Sequence, residues 1–263
     1  MKAKTRSTVI YGLCSAGLLI AIIAFVQIGV ERGWIDPLLI PSPSSVARAL
    51  QTGYDTGLYW EHIRSTLTAT LLGFGLAVLI GVVIGGLLAT SPALEAITFP
   101  FIVAFQAMPK IAIAPLVIIW AGFGQTSKVL IVAFVSFFPI LVNTMQGMRL
   151  RERERLELSN VLGASRWQTF RYIRLPGSTP YVFAGLRVGA IFALLGAVVA
   201  EFVGSQDGLG VLLTVQRTQF DVPGVFATLV ILMVIGLVID LAMSAAERRV
   251  TFWAQEQDQS KAV

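Results

Sequence analysis

Apolar residues in this chain gather into six long blocks instead of alternating or recurring every third or fourth position. The blocks run over residues 9–30, 66–90, 97–120, 129–148, 181–204 and 225–246. Each is near the roughly 20 residues a helix needs to cross a hydrocarbon core. A segment apolar on all sides has no face for water, and in lipid a helix satisfies its own backbone hydrogen bonds. The pattern predicts an all-α integral membrane protein with about six transmembrane helices. The first block follows a basic N-terminus, as in a secretory signal, but it is longer than the 7–15 residues typical of a signal's apolar region. It reads as a retained helix.

Composition agrees: 56% of the residues are hydrophobic, 13% are charged and mean hydropathy is +0.77. That charge fraction is about half the soluble average. The net charge of +5 reads as an orientation signal, not a nucleic-acid footprint. Lys2, Lys4, Arg6, the seven arginines between blocks four and five, Arg248 and Arg249 all fall on one side. Arg32, Arg48, Arg64, Lys128 and Arg217 lie on the other. The bias predicts both termini in the cytoplasm and a multi-pass protein of the cell inner membrane. Cys14 is the single cysteine and His62 the single histidine. That excludes an intrachain disulfide and a Cys-based metal site. It leaves no Ser–His pair within a block, and no metal site is expected. An intramembrane enzyme is thereby disfavoured.

The polar segment 149–176 is too wet for lipid and too patterned for a slack linker. Residues 151–162 are rich in Arg, Glu and Leu, which favour helix. Gly163 ends that helix in a left-handed cap. Ser165 opens a second one, and Gln168 three positions on completes a capping box. Trp167, Phe170 and Arg171 share a face at i, i+3 and i+4, beside Arg166. Leu175-Pro176 is expected to stop the second helix. The prediction is a helix–Gly–helix elbow whose aromatic and arginine face suits an interface.

From Glu157 the spacing is Glu-Leu-Ser, three residues, Gly163, nine residues, Ile173, one residue, Leu175-Pro176. This resembles the EAA motif of ABC importer permeases, with Leu158-Ser159 in place of Ala-Ala. LLIPSPSSVARAL and PLVIIWAGFGQTSKVLIVAFVSFFPILVNT are similar to segments of the subfamily for sulfonates, taurine, nitrate, bicarbonate and thiamine-precursor pyrimidines. The resemblance implies a type I ABC importer permease fold with a cytoplasmic coupling helix. It also implies a homodimer, two cytoplasmic ATPase subunits and an extracytoplasmic substrate-binding protein as partners, besides membrane lipid. ATP and Mg would sit on the ATPase, since this chain has no Gly-x-x-x-x-Gly-Lys-Ser/Thr loop. No cofactor is expected on this chain, and nucleic acid is not an expected partner. Glu157, Gly163, Ile173, Leu175 and Pro176 are the motif positions. Ala164, Arg166, Trp167, Phe170 and Arg171 complete the expected ATPase-coupling set. The implied organisation is an N-terminal helix (1–30), an outer loop with an interfacial helix (31–65), a permease core with the coupling loop (66–250), and a cytoplasmic tail (251–263). In the outer loop Ser42 caps a helix with Pro43 first, and Val46, Ala47 and Leu50 share its apolar face. A self-sufficient secondary transporter is the alternative.

Charge at membrane depth is costly and marks function by default. Lys110 follows Pro109 and precedes Pro115, so the third span should break there and line a cavity. Gln106, Met108, Pro109, Lys110, Asn143 and Glu201 are therefore assigned to a translocation path. Lys110 would attract an anionic solute, or else pair with Glu201. Gly73, Gly75, Gly81, Gly85 and Gly86 permit close helix approach.

Overall fold

A computed structural model describes residues 2–149, 159 and 161–252. The described helices are α1 (Lys2–Glu31), α2 (Pro43–Asp55), α3 (Leu58–Leu88), α4 (Pro92–Ala107), α5 (Ala114–Ala121), α6 (Gln125–Arg149), α7 (Arg166–Thr169), α8 (Leu175–Gly204), α9 (Leu209–Thr218) and α10 (Val222–Val250). A 3₁₀ turn (Lys110–Ile113) precedes α5, and a π turn (Phe170–Arg174) joins α7 to α8.

Four helices are long and apolar enough to span a membrane: Leu58–Leu88, Gln125–Arg149, Trp167–Gly204 and Val222–Val250. A fifth span is the pair Ala93–Ala107 and Lys110–Ala121, bent by 84°. The remaining expected span lies in α1, whose described apolar part, Gly17–Glu31, is shorter. The prolines explain the bend. Pro109 stands in extended backbone between α4 and the 3₁₀ turn, and Pro115 falls in the first turn of α5, where its missing N–H costs nothing. One expectation fails here: Leu175-Pro176 does not stop a helix. Trp167–Gly204 runs as one helix of 38 residues. The Leu175 N–H bonds to Phe170 O, five residues back. This wider turn makes room for the Pro176 ring, which a tight α-turn would press against the carbonyl four residues earlier.

The chain divides into two compact units, residues 1–62 with 212–232, and 63–211 with 233–263. In the first unit, Ser42 caps α2 by accepting from Ser45 N–H, and Pro43 stands at the first position, as expected. The inward face of α2 differs from the expected one. Val46, Ala49 and Leu50 are half-buried and Gly53 is buried, while Ala47 is exposed. The cause is Tyr59, whose ring occupies the space a Gly53 side chain would need and whose hydroxyl donates to Ala49 O at 3.2 Å. The Gln27 amide meets Ser44 from both sides, donating to its Oγ at 3.0 Å and accepting from its N–H at 3.1 Å.

The second unit is built on α6, the most buried span. It packs along α8 through small residues. A Cβ added at Gly189 would lie 2.7 Å from Ile140 Cγ1, and one at Gly185 would lie 2.6 Å from Asn143 Cβ. Gly73, Gly81 and Gly85 of α3 likewise approach Val132, Ile140 and Thr144 of α6. Gly75 faces open space and takes no part. Ala69, Val132, Ala193 and Ala197 form one core cluster, and Ile102, Phe138, Leu141 and Met145 another. Close approach through small residues maximises dispersion contacts, which drive helix association where lipid removes the hydrophobic advantage.

Candidate functional site

The described part of the loop makes the expected glycine turn into a capped second helix, while 151–158 lie outside the described residues. Gly163 has φ +72°, and Ala164 N–H donates to Ser159 O at 2.9 Å, the six-to-one bond of a glycine-ended helix. The capping box closes in both directions: Gln168 N–H donates to Ser165 Oγ at 3.2 Å, and Ser165 N–H donates to Gln168 Oε1 at 2.8 Å. Ser159 Oγ lies 3.4 Å from Thr169 Oγ1, both side chains buried, which ties Ser159 to the second helix across the glycine turn. Ser159 entered the sequence reading only as a departure from the motif. Trp167 and Phe170 stack with centroids 5.7 Å apart. Trp167 is 67% exposed and Tyr172 71%, and beside the elbow Val161 and Leu162 are 84% and 75% exposed. Such a cluster of bare apolar side chains suits a contact surface. Tyr172, Val161 and Leu162 were not foreseen. A signal was present in their apolar character within a polar loop. Ala164, Phe170, Ile173 and Pro176 are half-buried, while Arg171 and Leu175 are exposed. Glu157 lies outside the described residues, as does the side chain of Arg166.

The residues assigned to a path separate into three places. Gln106, Met108 and Pro109 are exposed at the break between α4 and α5. Lys110, half-buried, sits 5.3 Å from the Phe138 ring centre and 5.8 Å from that of Phe192. Aromatic faces attract a cation. Met108, Lys110 and Phe192 line a cavity of about 210 Å³ with Ile111, Val135, Leu195, Gly196 and Val199. Asn143 does not join them. Its amide donates to Pro139 O at 2.8 Å within α6, and its Cβ packs on Gly185.

Glu201 does not join them either, and it does not pair with Lys110. It is 2% exposed. Its Oε1 accepts from Thr66 Oγ1 and its Oε2 from Gly210 N–H, both at 2.8 Å. Thr66 Oγ1 in turn accepts from Leu209 N–H at 2.9 Å. Gly208, at φ +124°, lies so close to the Glu201 carboxylate that any Cβ would overlap it. Next to this bridge, Lys128 spends all three ammonium protons: on Ser65 Oγ (2.8 Å), Asp207 O (2.9 Å) and Asp207 Oδ1 (2.5 Å). Lys128 is 2% exposed. Its hydrogen bond holds the Asp207 carboxyl below the usual carboxylate range, against a smaller opposing effect of burial. The result is a polar latch that closes the turn after α8 onto α3 and α6. A second unforeseen pair lies within the spans: Arg187 of α8 holds Asp240 of α10 by two bonds, 2.6 and 2.8 Å.

Residues 77–252 match the family described as binding-protein-dependent transport system inner membrane component. The chain belongs to this family. The permease is 40% identical over 235 residues to the riboflavin transport system permease protein RibX of Chloroflexus aurantiacus, covering 89% of this chain and 88% of that one. It is 33% identical to the formylaminopyrimidine transport permease protein ThiX of Halalkalibacterium halodurans (84% and 88% covered). It is 31% identical to the taurine transport system permease protein TauC of Escherichia coli (84% and 82% covered). Its fold is shared with a chain of the methionine ABC transporter MetNI in an inward facing conformation, at TM-score 0.64 and 20% identity over 73% of this chain and 94% of that one. It is likewise shared with a chain of an amino acid ABC transporter, at TM-score 0.60 and 19% identity over 77% of this chain and 96% of that one. The permease is thus a multi-pass inner-membrane subunit of an ABC importer.

Proposed function

We propose that the permease works as a homodimer, that an ABC ATPase grips each copy at the 159–176 elbow, and that a binding protein delivers solute to the opposite face. The observation that carries this reading is the continuity of the elbow's second arm with α8. Trp167–Gly204 is one helix of 38 residues, about 57 Å long. A displacement imposed on Trp167 and Phe170 is carried along one hydrogen-bonded rod into the packed core. In this reading the elbow and both termini are cytoplasmic, ATP and Mg are held by the partner, and Gly163, Ala164, Arg166, Trp167, Phe170, Arg171, Ile173, Leu175 and Pro176 form the coupling region with Glu157. The solute is small and flat, a heterocycle or an anion. The support is Lys110 set between two phenyl rings in an apolar cavity, and two relatives named for riboflavin and formylaminopyrimidine transport.

Co-expression with its ATPase tests the first part. Trp167→Ala should reduce co-purification about tenfold or more, as loss of an exposed aromatic anchor does. Unchanged recovery would remove the elbow from the interface. Uptake into vesicles loaded with ATP tests the second. Lys110→Met should impair uptake of the cognate solute while ATPase recovery stays normal, and equal uptake would take Lys110 out of the path.

A further inference from the structure

A second cavity lies at the elbow end of the spans, away from the Lys110 cavity. It has a volume of about 360 Å³ and is bounded by the end of α3 (Ala89, Thr90), the start of α4 (Glu95, Phe99, Pro100), the end of α6 (Met148, Arg149) and Arg174 of the π turn. Its composition is divided. Phe99, Pro100, Met148 and the alanines give one apolar wall, while Arg149, Arg174, Glu95 and Thr90 give a polar rim. The charges do not cancel. Arg149 Nη1 donates to Glu95 Oε1 at 2.8 Å, but Arg149 remains 69% exposed. Arg174 is half-buried and has no carboxylate partner among the described residues. Among the described residues, two guanidinium groups against one carboxylate give the rim one net positive charge. An apolar wall under a singly positive rim, set where three spans end, fits an amphiphile with a single negative charge at its head.

We propose that this cavity binds the phosphate diester of an anionic phospholipid, with Arg149 and Arg174 on the phosphate oxygens and the glycerol region against Phe99 and Met148. Guanidinium forks match phosphate geometry, and basic recesses between spans hold anionic headgroups. A zwitterionic lipid would bring an ammonium group to a rim already positive, so the site discriminates by charge. Arg174 belongs to the turn that joins the elbow to α8, so an occupied cavity ties that turn to the membrane surface.

The test is lipid retention on the purified full-length permease, measured by native mass spectrometry. The probes are phosphatidylglycerol, phosphatidylcholine and, as a soluble diester with the same headgroup, glycerophosphoglycerol. The proposal expects selective retention of phosphatidylglycerol. Arg149→Gln and Arg174→Gln should each weaken it about fivefold, the effect of one cation at a membrane surface. Arg248→Gln, on an exposed arginine elsewhere, should leave it within about twofold. Equal retention of phosphatidylcholine, indifference to both glutamine variants, or displacement by glycerophosphoglycerol at matched concentration would each overturn the assignment to lipid. Native-like elution of every variant on size exclusion separates loss of the site from loss of the fold. No ATPase is needed, so the result is independent of the docking proposal.

Discussion

Thr66→Val isolates the polar latch, because valine keeps the volume of threonine and removes only the hydroxyl. That hydroxyl is fully buried and serves two partners: it donates to Glu201 Oε1 at 2.8 Å and accepts from Leu209 N–H at 2.9 Å. After the change the Leu209 N–H is buried and unpaired, which costs about 1–3 kcal/mol, and Glu201 loses one of two donors, which costs about 1–2 kcal/mol more. The expected loss is therefore about 2–5 kcal/mol. Thr66→Ser is the control: it keeps both hydrogen bonds and removes one buried methyl, worth about 1 kcal/mol. Equilibrium unfolding of the purified permease in mixed micelles gives both values. Valine should be worse than serine although it fills the site better. A Thr66→Val protein as stable as Thr66→Ser, or more so, would show that packing and not the hydrogen-bonded bridge closes this turn.

Asp207 makes a pH prediction. Its carboxyl is held below the usual value, so its contribution is full above the unfolded carboxylate value near 3.9 and is lost as pH falls through the lower folded value. The stability gap between wild type and Asp207→Asn should stay level from about pH 5 upward and narrow only in stronger acid, and a gap that narrows near neutrality would refute this. Gly163→Ala places a side chain at φ +72°, which costs about 1–2 kcal/mol locally. ATPase recovery in pull-down should fall while membrane insertion stays normal. Gly189→Ala should cost about 1–3 kcal/mol by overpacking Ile140, whereas Gly177→Ala, with nothing within 4 Å, should be neutral or stabilising by up to about 1 kcal/mol. Unfolding curves of the pair check the contrast.

What could be read from the letters depended on the range of the interaction. The spans were legible because apolarity over some 20 residues needs no partner to be recognised. The capping box at Ser165 and Gln168 was legible because donor and acceptor lie three residues apart. The latch was not: Ser65 meets Asp207 across 142 positions and Lys128 meets it across 79. Serine, threonine and lysine near a span edge carry no mark of such pairing. Arg187 and Asp240 were hidden in the same way, 53 positions apart on different spans. Leu175-Pro176 failed for another reason. The local rule that proline ends a helix is correct for a regular α-turn, and the chain evades it by opening that turn to a π geometry. The face of α2 was misplaced at Ala47 because Tyr59, beyond the helix, decides which side is covered.

The ion pairs also bear on what can move this scaffold. Lys128, Arg149 and Arg187 each rest on a carboxylate of the same chain, Asp207, Glu95 and Asp240. A lone charge carried across the bilayer exchanges about 2.3 kcal/mol with each 100 mV of membrane potential. A cation travelling with its own counter-charge exchanges almost nothing. Voltage therefore has little purchase on these three cations. Lys110, against the Phe138 and Phe192 rings and with no carboxylate partner among the described residues, carries no such counter-charge.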